Sequence, residues 1–139
     1  MRALGIDLGA RRIGLAISDV SGTLARPLTT LTVDGGDSID IVAREIARLA
    51  GEDDGLSVIV VGMPARLDGT PSEAGARATA FIDALRRRTA IPIVSEGERL
   101  TSHEAQARLA TRERDWRKRK LKLDAAAAAV FLQDFLDRR

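Results

Sequence analysis

The chain has 139 residues, of which 45% are hydrophobic and 30% charged, and it contains no cysteine. That length supports one domain with a sizeable core and excludes two full α/β domains, while the absence of cysteine excludes disulfides, thiolate metal sites and cysteine nucleophiles. Net charge is only +2, yet residues 112–122 hold seven Lys or Arg against two acids, so a local charge of +5 sits on a body of −3; such a concentrated patch suits an anionic partner.

Residues 3–8, 12–18 and about 24–32 are apolar or alternating runs joined by short Gly-containing turns, which predicts an antiparallel meander of three strands. Asp7 falls near the tip of the first hairpin. A carboxylate in a half-buried strand needs a partner, and two are open to it: backbone amides of the Gly9 turn, or a metal ion. Asp37 then reads as the N-cap of a helix with Ile39, Val42, Ile46 and Leu49 on one face, ended by Gly51.

Residues 57–61 form a continuous apolar run, the pattern of a central strand buried on both faces. Its exit, residues 62–69, leaves the C-terminal end of a strand, where α/β proteins usually carry binding groups. Thr70-Pro71-Ser72-Glu73 is a capping box opening a helix with Ala78, Phe81, Ile82 and Leu85 inward. Residues 91–94 predict a fifth strand, with Pro92 at its start or on an edge. Thr101-Ser102-His103-Glu104 is a second capping box, so Glu98 falls at a strand-to-helix junction. Residues 123–136 read as a last helix, rich in alanine so that it can lie close to a sheet, with Asp124 in its first turn near the positive end of the helix dipole. The whole predicts an α/β domain over residues 1–139: a five-stranded mixed sheet of a three-strand meander and two parallel strands, with helices on both faces.

Asp7, Glu98 and Asp124 stand at places that can converge. Each has an ordinary alternative, as turn acceptor, surface residue and helix N-terminal acid respectively. Clustered, they would repel one another, and a divalent cation resolves that; hard oxygen donors on rigid elements suit Mg2+ or Mn2+. Two such ions could activate water and stabilise the leaving oxygen of a phosphodiester. Arg99 and Lys122 are candidates to meet the developing charge. The basic stretch, including Arg117, Lys118 and Lys120, would grip phosphates, unless it is simply a solvated helix and loop. Trp116 amid those cations either stacks on a base of single-stranded nucleic acid or packs on the body. His103 reads as a solvated helix residue rather than a general base.

Four strings in order carry a resemblance across nearly the whole chain: Gly5-Ile6-Asp7-Leu8-Gly9 with Arg12-Ile13-Gly14; Val61-Gly62-Met63-Pro64 with Asp68-Gly69; Glu98-Arg99-Leu100-Thr101-Ser102; and Lys122-Leu123-Asp124 with Ala126-Ala127. Together they resemble the YqgF (RuvX) family of RNase H-like nucleases, described both as Holliday junction resolvases and as pre-16S rRNA nucleases. The resemblance implies an RNase H-like fold and a metal site on Asp7, Glu98 and Asp124. It also implies hydrolysis of phosphodiester bonds in an RNA precursor or in branched or single-stranded DNA. Arg12, in the first string, and Arg66, in the loop between the two halves of the second, are further candidates for nucleic-acid contact. Where the family has Asp directly before the Glu-Arg-Leu-Thr string, this chain has Gly97, with Glu96 the nearest acid to substitute; Arg66 stands where Asn is more usual.

Gly5 and Gly9 are expected to leave room for phosphate and metal beside Asp7. The first hairpin also resembles the phosphate-binding hairpin of actin-like and sugar-kinase ATPases, which clasp nucleotide between two such domains where this chain has one. A nucleic-acid-binding factor without catalysis is the alternative of another class. The leading expectation is a cytoplasmic nuclease in ribosome biogenesis, processing the 5′ end of pre-16S rRNA, with junction resolution or DNA repair as the alternative. No membrane partner is expected, since no apolar run reaches spanning length and residues 1–20 lack a signal core. The chain is expected to be a monomer or weak homodimer.

Overall fold

The computed structural model describes residues 1–9, 11–34, 36–63, 73–97 and 116–138. Their elements are β1 (Ala3–Leu8), β2 (Arg12–Ser18), β3 (Ala25–Thr32), α1 (Ser38–Ala50), β4 (Val58–Met63), α2 (Glu73–Arg86), β5 (Ile93–Gly97) and α3 (Trp116–Asp137). The five strands form one sheet in the order β3-β2-β1-β4-β5. β1, β2 and β3 pair antiparallel, and β4 joins β1 and β5 in parallel. This is the expected meander with two added parallel strands.

Alternation along β1 and β2 sends side chains to two different layers. Leu4, Ile6, Ile13, Leu15 and Ile17 join Val42, Ile46 and Leu49 of α1 and Phe81, Ile82 and Leu85 of α2 in one core. Ala3, Ala16 and Val60 face the other way, against Ala128, Phe131, Leu132 and Leu136 of α3. Helices therefore cover both faces. Residues facing α1 and α2 are large and branched, whereas those beneath α3 are mostly small, so α3 can approach the sheet closely. Phe131 is fully buried there, and a side chain of that size contributes about 1.5–3 kcal/mol by its burial.

Two elements depart from the sequence-based expectation. Helix α3 begins at Trp116, not at residue 123, so Asp124 lies in its third turn and the helix dipole does not account for it. Asp37 precedes α1 but makes no side-chain cap; its carboxylate accepts the amide of Asp34 instead. The capping boxes at residues 70–73 and 101–104 lie wholly or partly outside the described residues.

Side-chain clamps fix the far ends of the sheet. Gln133 of α3 accepts the Ala25 amide and donates to the Thr23 carbonyl, tying α3 to the β2–β3 turn. In that turn the Ser21 hydroxyl and the amides of Leu24 and Thr23 hold the Asp19 carboxyl down at about 2, because each hydrogen bond favours the charged form. Arg2 caps the end of α1 through the carbonyls of Leu49 and Gly55. Among the described residues no helix is long and apolar enough to cross a membrane.

Candidate active site

Ala3 on β1 belongs to the layer beneath α3, and residues two apart on a strand share a face. Gly5 and Asp7 therefore point to the α3 side. In the β1–β2 ladder Asp7 is paired with Gly14, and in the β2–β3 ladder Gly14 is paired with Thr30. Cross-strand partners have Cα atoms about 4.5–5.5 Å apart, so whatever covers Gly14 is a close neighbour of Asp7.

What covers Gly14 is the backbone of α3. A Cβ on Gly14 would fall 2.0 Å from the Asp124 carbonyl oxygen and 2.8 Å from the Ala125 nitrogen. Further along the same helical stripe, a Cβ on Gly5 would fall 3.0 Å from Leu132 Cβ and 3.2 Å from the Ala128 carbonyl oxygen. Positions 124, 128 and 132 repeat every four residues, which places them on one face of the helix. The two glycines thus define the track along which α3 crosses β1 and β2, and that track sets Asp124 down next to Asp7.

Asp124 is half-buried and forms an ion pair with Arg12, whose Nε donates to Oδ2 at 2.7 Å. Arg12 lies two residues before Gly14 on the same face of β2, opposite Thr32 of β3. Asp7 is half-buried as well. The Arg12 guanidinium offsets the Asp124 charge in this half-buried setting.

The other expected site residues are placed as follows. β5 ends at Gly97, paired with Met63 at the end of β4, and Glu98, Arg99, Arg66 and His103 lie outside the described residues. Glu96, the candidate substitute acid, is paired with Arg138 from the last turn of the chain. Trp116, Arg117, Lys118, Lys120 and Lys122 are carried by the first two turns of α3, on the same helix and N-terminal to Asp124. Among the described residues no three His, Asp or Glu form a common cluster.

The glycines are a correction. Gly5 leaves no room for a ligand, because Leu132 and Ala128 fill the space its side chain would take; at Gly9 a Cβ would fall 2.4 Å from the Arg12 carbonyl oxygen, so that residue serves turn closure. Gly14 was missed by the sequence reading. Its signal was an isolated glycine inside a strand, which marks close approach by another backbone. The pairing of Arg12 with Asp124 was missed too, and no local pattern encodes it.

The chemistry of Asp7 and Asp124 fits a hard divalent cation: both donors are carboxylate oxygens on rigid elements, and Asp124 has already drawn in one cation, the Arg12 guanidinium.

A family model described as RuvX, Holliday junction resolvase, matches residues 1–138. A protein of Anaeromyxobacter dehalogenans (strain 2CP-C) is 41% identical over 140 residues, spanning 100% of this chain and 98% of its own. One of Halalkalibacterium halodurans is 37% identical over 140 residues with the same coverage. Both carry the name "Putative pre-16S rRNA nuclease". Among solved structures, T. thermophilus RuvC in complex with a Holliday junction substrate is similar with a TM-score of 0.57 at 16% identity, over 99% of this chain and 95% of that one. That likeness shows a common RNase H-like fold.

Proposed function

Since the chain belongs to the RuvX family of nucleases, we propose that it is a divalent-metal-dependent nuclease that hydrolyses phosphodiester bonds during 5′-end processing of pre-16S rRNA. The observation that carries this reading is the seating of Asp124 on Gly14, the cross-strand partner of Asp7. It lays the Asp124 backbone on the strand pair that carries Asp7, at one end of the sheet. The names of the relatives favour ribosomal RNA as substrate, and that substrate implies a cytoplasmic site of action. The family description favours a junction resolvase as the second reading.

Under this proposal Asp7, Asp124 and Glu98 hold one or two Mg2+ or Mn2+ ions, which would supply an activated water and charge stabilisation at the leaving oxygen. The protein's own contribution is orientation. β1 is a central strand, and Asp7 is fixed by its ladder to Gly14 of β2, one residue beyond the end of the β1–β4 ladder. Asp124 is fixed by the contact of its own backbone with β2. Arg99 and Lys122 offset charge on the phosphate in the transition state. Arg12 and Arg66 add to the phosphate contacts, with Arg117, Lys118 and Lys120 gripping the strand outside the site and Trp116 stacking on an unpaired base. A monomer or weak homodimer suffices for cutting a single RNA strand, whereas symmetric cutting of a junction needs a two-fold dimer.

The test is end-labelled RNA spanning the 5′ boundary of 16S rRNA, run beside four-way junction DNA, in Mn2+ or EDTA. Cleavage of the RNA at defined positions only with Mn2+ is the expected result. Cleavage confined to the junction would replace the RNA reading with the resolvase, and binding to either without cleavage would replace both with a non-catalytic binding factor.

A further inference from the structure

The Arg12–Asp124 pair stands apart from the other ion pairs. Its side chains are 30% and 24% exposed, and among the described pairs it is the one in which both partners are at least two-thirds buried. The backbone around Arg12 is fixed. Its residue is laddered to Thr32, the preceding Arg11 carbonyl accepts the Val33 amide, and the Arg12 carbonyl packs on Gly9. From this backbone the side chain reaches the carboxylate that the nuclease reading assigns to metal.

A guanidinium and a divalent cation on one carboxylate repel each other, and in a half-buried site solvent screens that repulsion only partly. We propose that Arg12 is the resident counter-cation of Asp124: in metal-free protein it neutralises and orients that carboxylate beside Asp7, and a divalent ion binds by displacing it. Arg12 is then a positioning residue that sets the metal affinity of the site. The geometry explains why a cation is kept there at all. Arg12 offsets the charge of Asp124, which the Gly14 contact lays on the strand pair that carries Asp7. This inference rests on the metal-dependent reading above.

The test is calorimetric titration of MnCl2 into EDTA-stripped full-length protein, compared among wild type, Arg12→Gln, Arg12→Met, Arg12→Lys and Asp7→Asn. Either neutral variant is expected to bind Mn2+ roughly three- to tenfold more tightly than wild type, which is the scale of one half-buried ion pair. Arg12→Lys, which keeps a cation, is expected to stay close to wild type, and Asp7→Asn to lose Mn2+ binding. A merely structural arginine predicts the opposite sign, because its loss would loosen Asp124 and weaken metal binding. Unchanged or weaker Mn2+ binding in both neutral variants, with wild type binding and Asp7→Asn not, overturns the counter-cation role and leaves the nuclease reading standing. Absence of Mn2+ binding in wild type and in every Arg12 variant overturns both.

Discussion

Asp7→Asn protein is expected to cleave RNA at least about a hundredfold more slowly than wild type at saturating Mn2+, the scale on which direct metal and charge-stabilising groups act. Its fold should be essentially unaltered. Asn matches Asp in shape, and Leu4 and Ile6 of the same strand are fully buried in the opposite layer. The melting temperature should therefore stay within about 3 °C of wild type, since an isosteric change that leaves the strand's packing intact is worth a few tenths of a kcal/mol. Single-turnover rates and thermal melts on the same preparation separate the two effects. A variant that keeps more than a tenth of the wild-type rate would remove Asp7 from the catalytic centre.

Gly14→Ala carries the second large effect, and it acts on stability and activity together. A methyl group there would fall 2.0 Å from the Asp124 carbonyl oxygen and 2.2 Å from its carbonyl carbon. These are backbone atoms inside a helix, so no rotamer change relieves the clash, and α3 must lift from β2. Overpacking of this kind costs about 1–3 kcal/mol, which lowers the melting temperature by roughly 3–10 °C in a chain of this size. Lifting α3 also carries Asp124 away from Asp7, so cleavage should fall at least about tenfold even below the melting range, as misplacement by about 1 Å can cost more than that. Gly36→Ala is the control, because a Cβ there meets nothing within 4 Å. Equal melting temperatures for the Gly14 and Gly36 variants would contradict the close seating of the helix.

The sheet was legible because its signals are local. β1 and β2 carry alternating apolar residues with glycine at the turn, and their bounds match the reading from sequence. The parallel strands announced themselves as short apolar runs, and the fifth was read early because Pro92, which cannot donate to a ladder, precedes β5 rather than lying in it. The start of α3 was misread for a physical reason. Five of the seven residues 116–122 are cationic, so they show no apolar period to mark a helix, and only the alanine-rich continuation reveals one.

The site was legible in part. Asp7 and Asp124 could be singled out by chemistry and by resemblance, but the device that joins them could not. Gly14 and Arg12 meet Asp124 across more than a hundred residues of sequence, and a strand glycine signals close approach without naming what approaches. The same limit explains the error at Gly5. A missing side chain looks the same in sequence whether a ligand or a helix fills the space.

The central claim is that Asp7 and Asp124 share a divalent cation at the Gly14 contact, and anomalous diffraction from crystals of the full-length protein soaked in MnCl2 tests it most directly. The account predicts a manganese peak coordinated by carboxylate oxygens of both Asp7 and Asp124, with the Arg12 guanidinium withdrawn from Asp124 Oδ2. A peak that touches neither acid, or an ordered site without manganese in which Arg12 still holds Asp124, would contradict it.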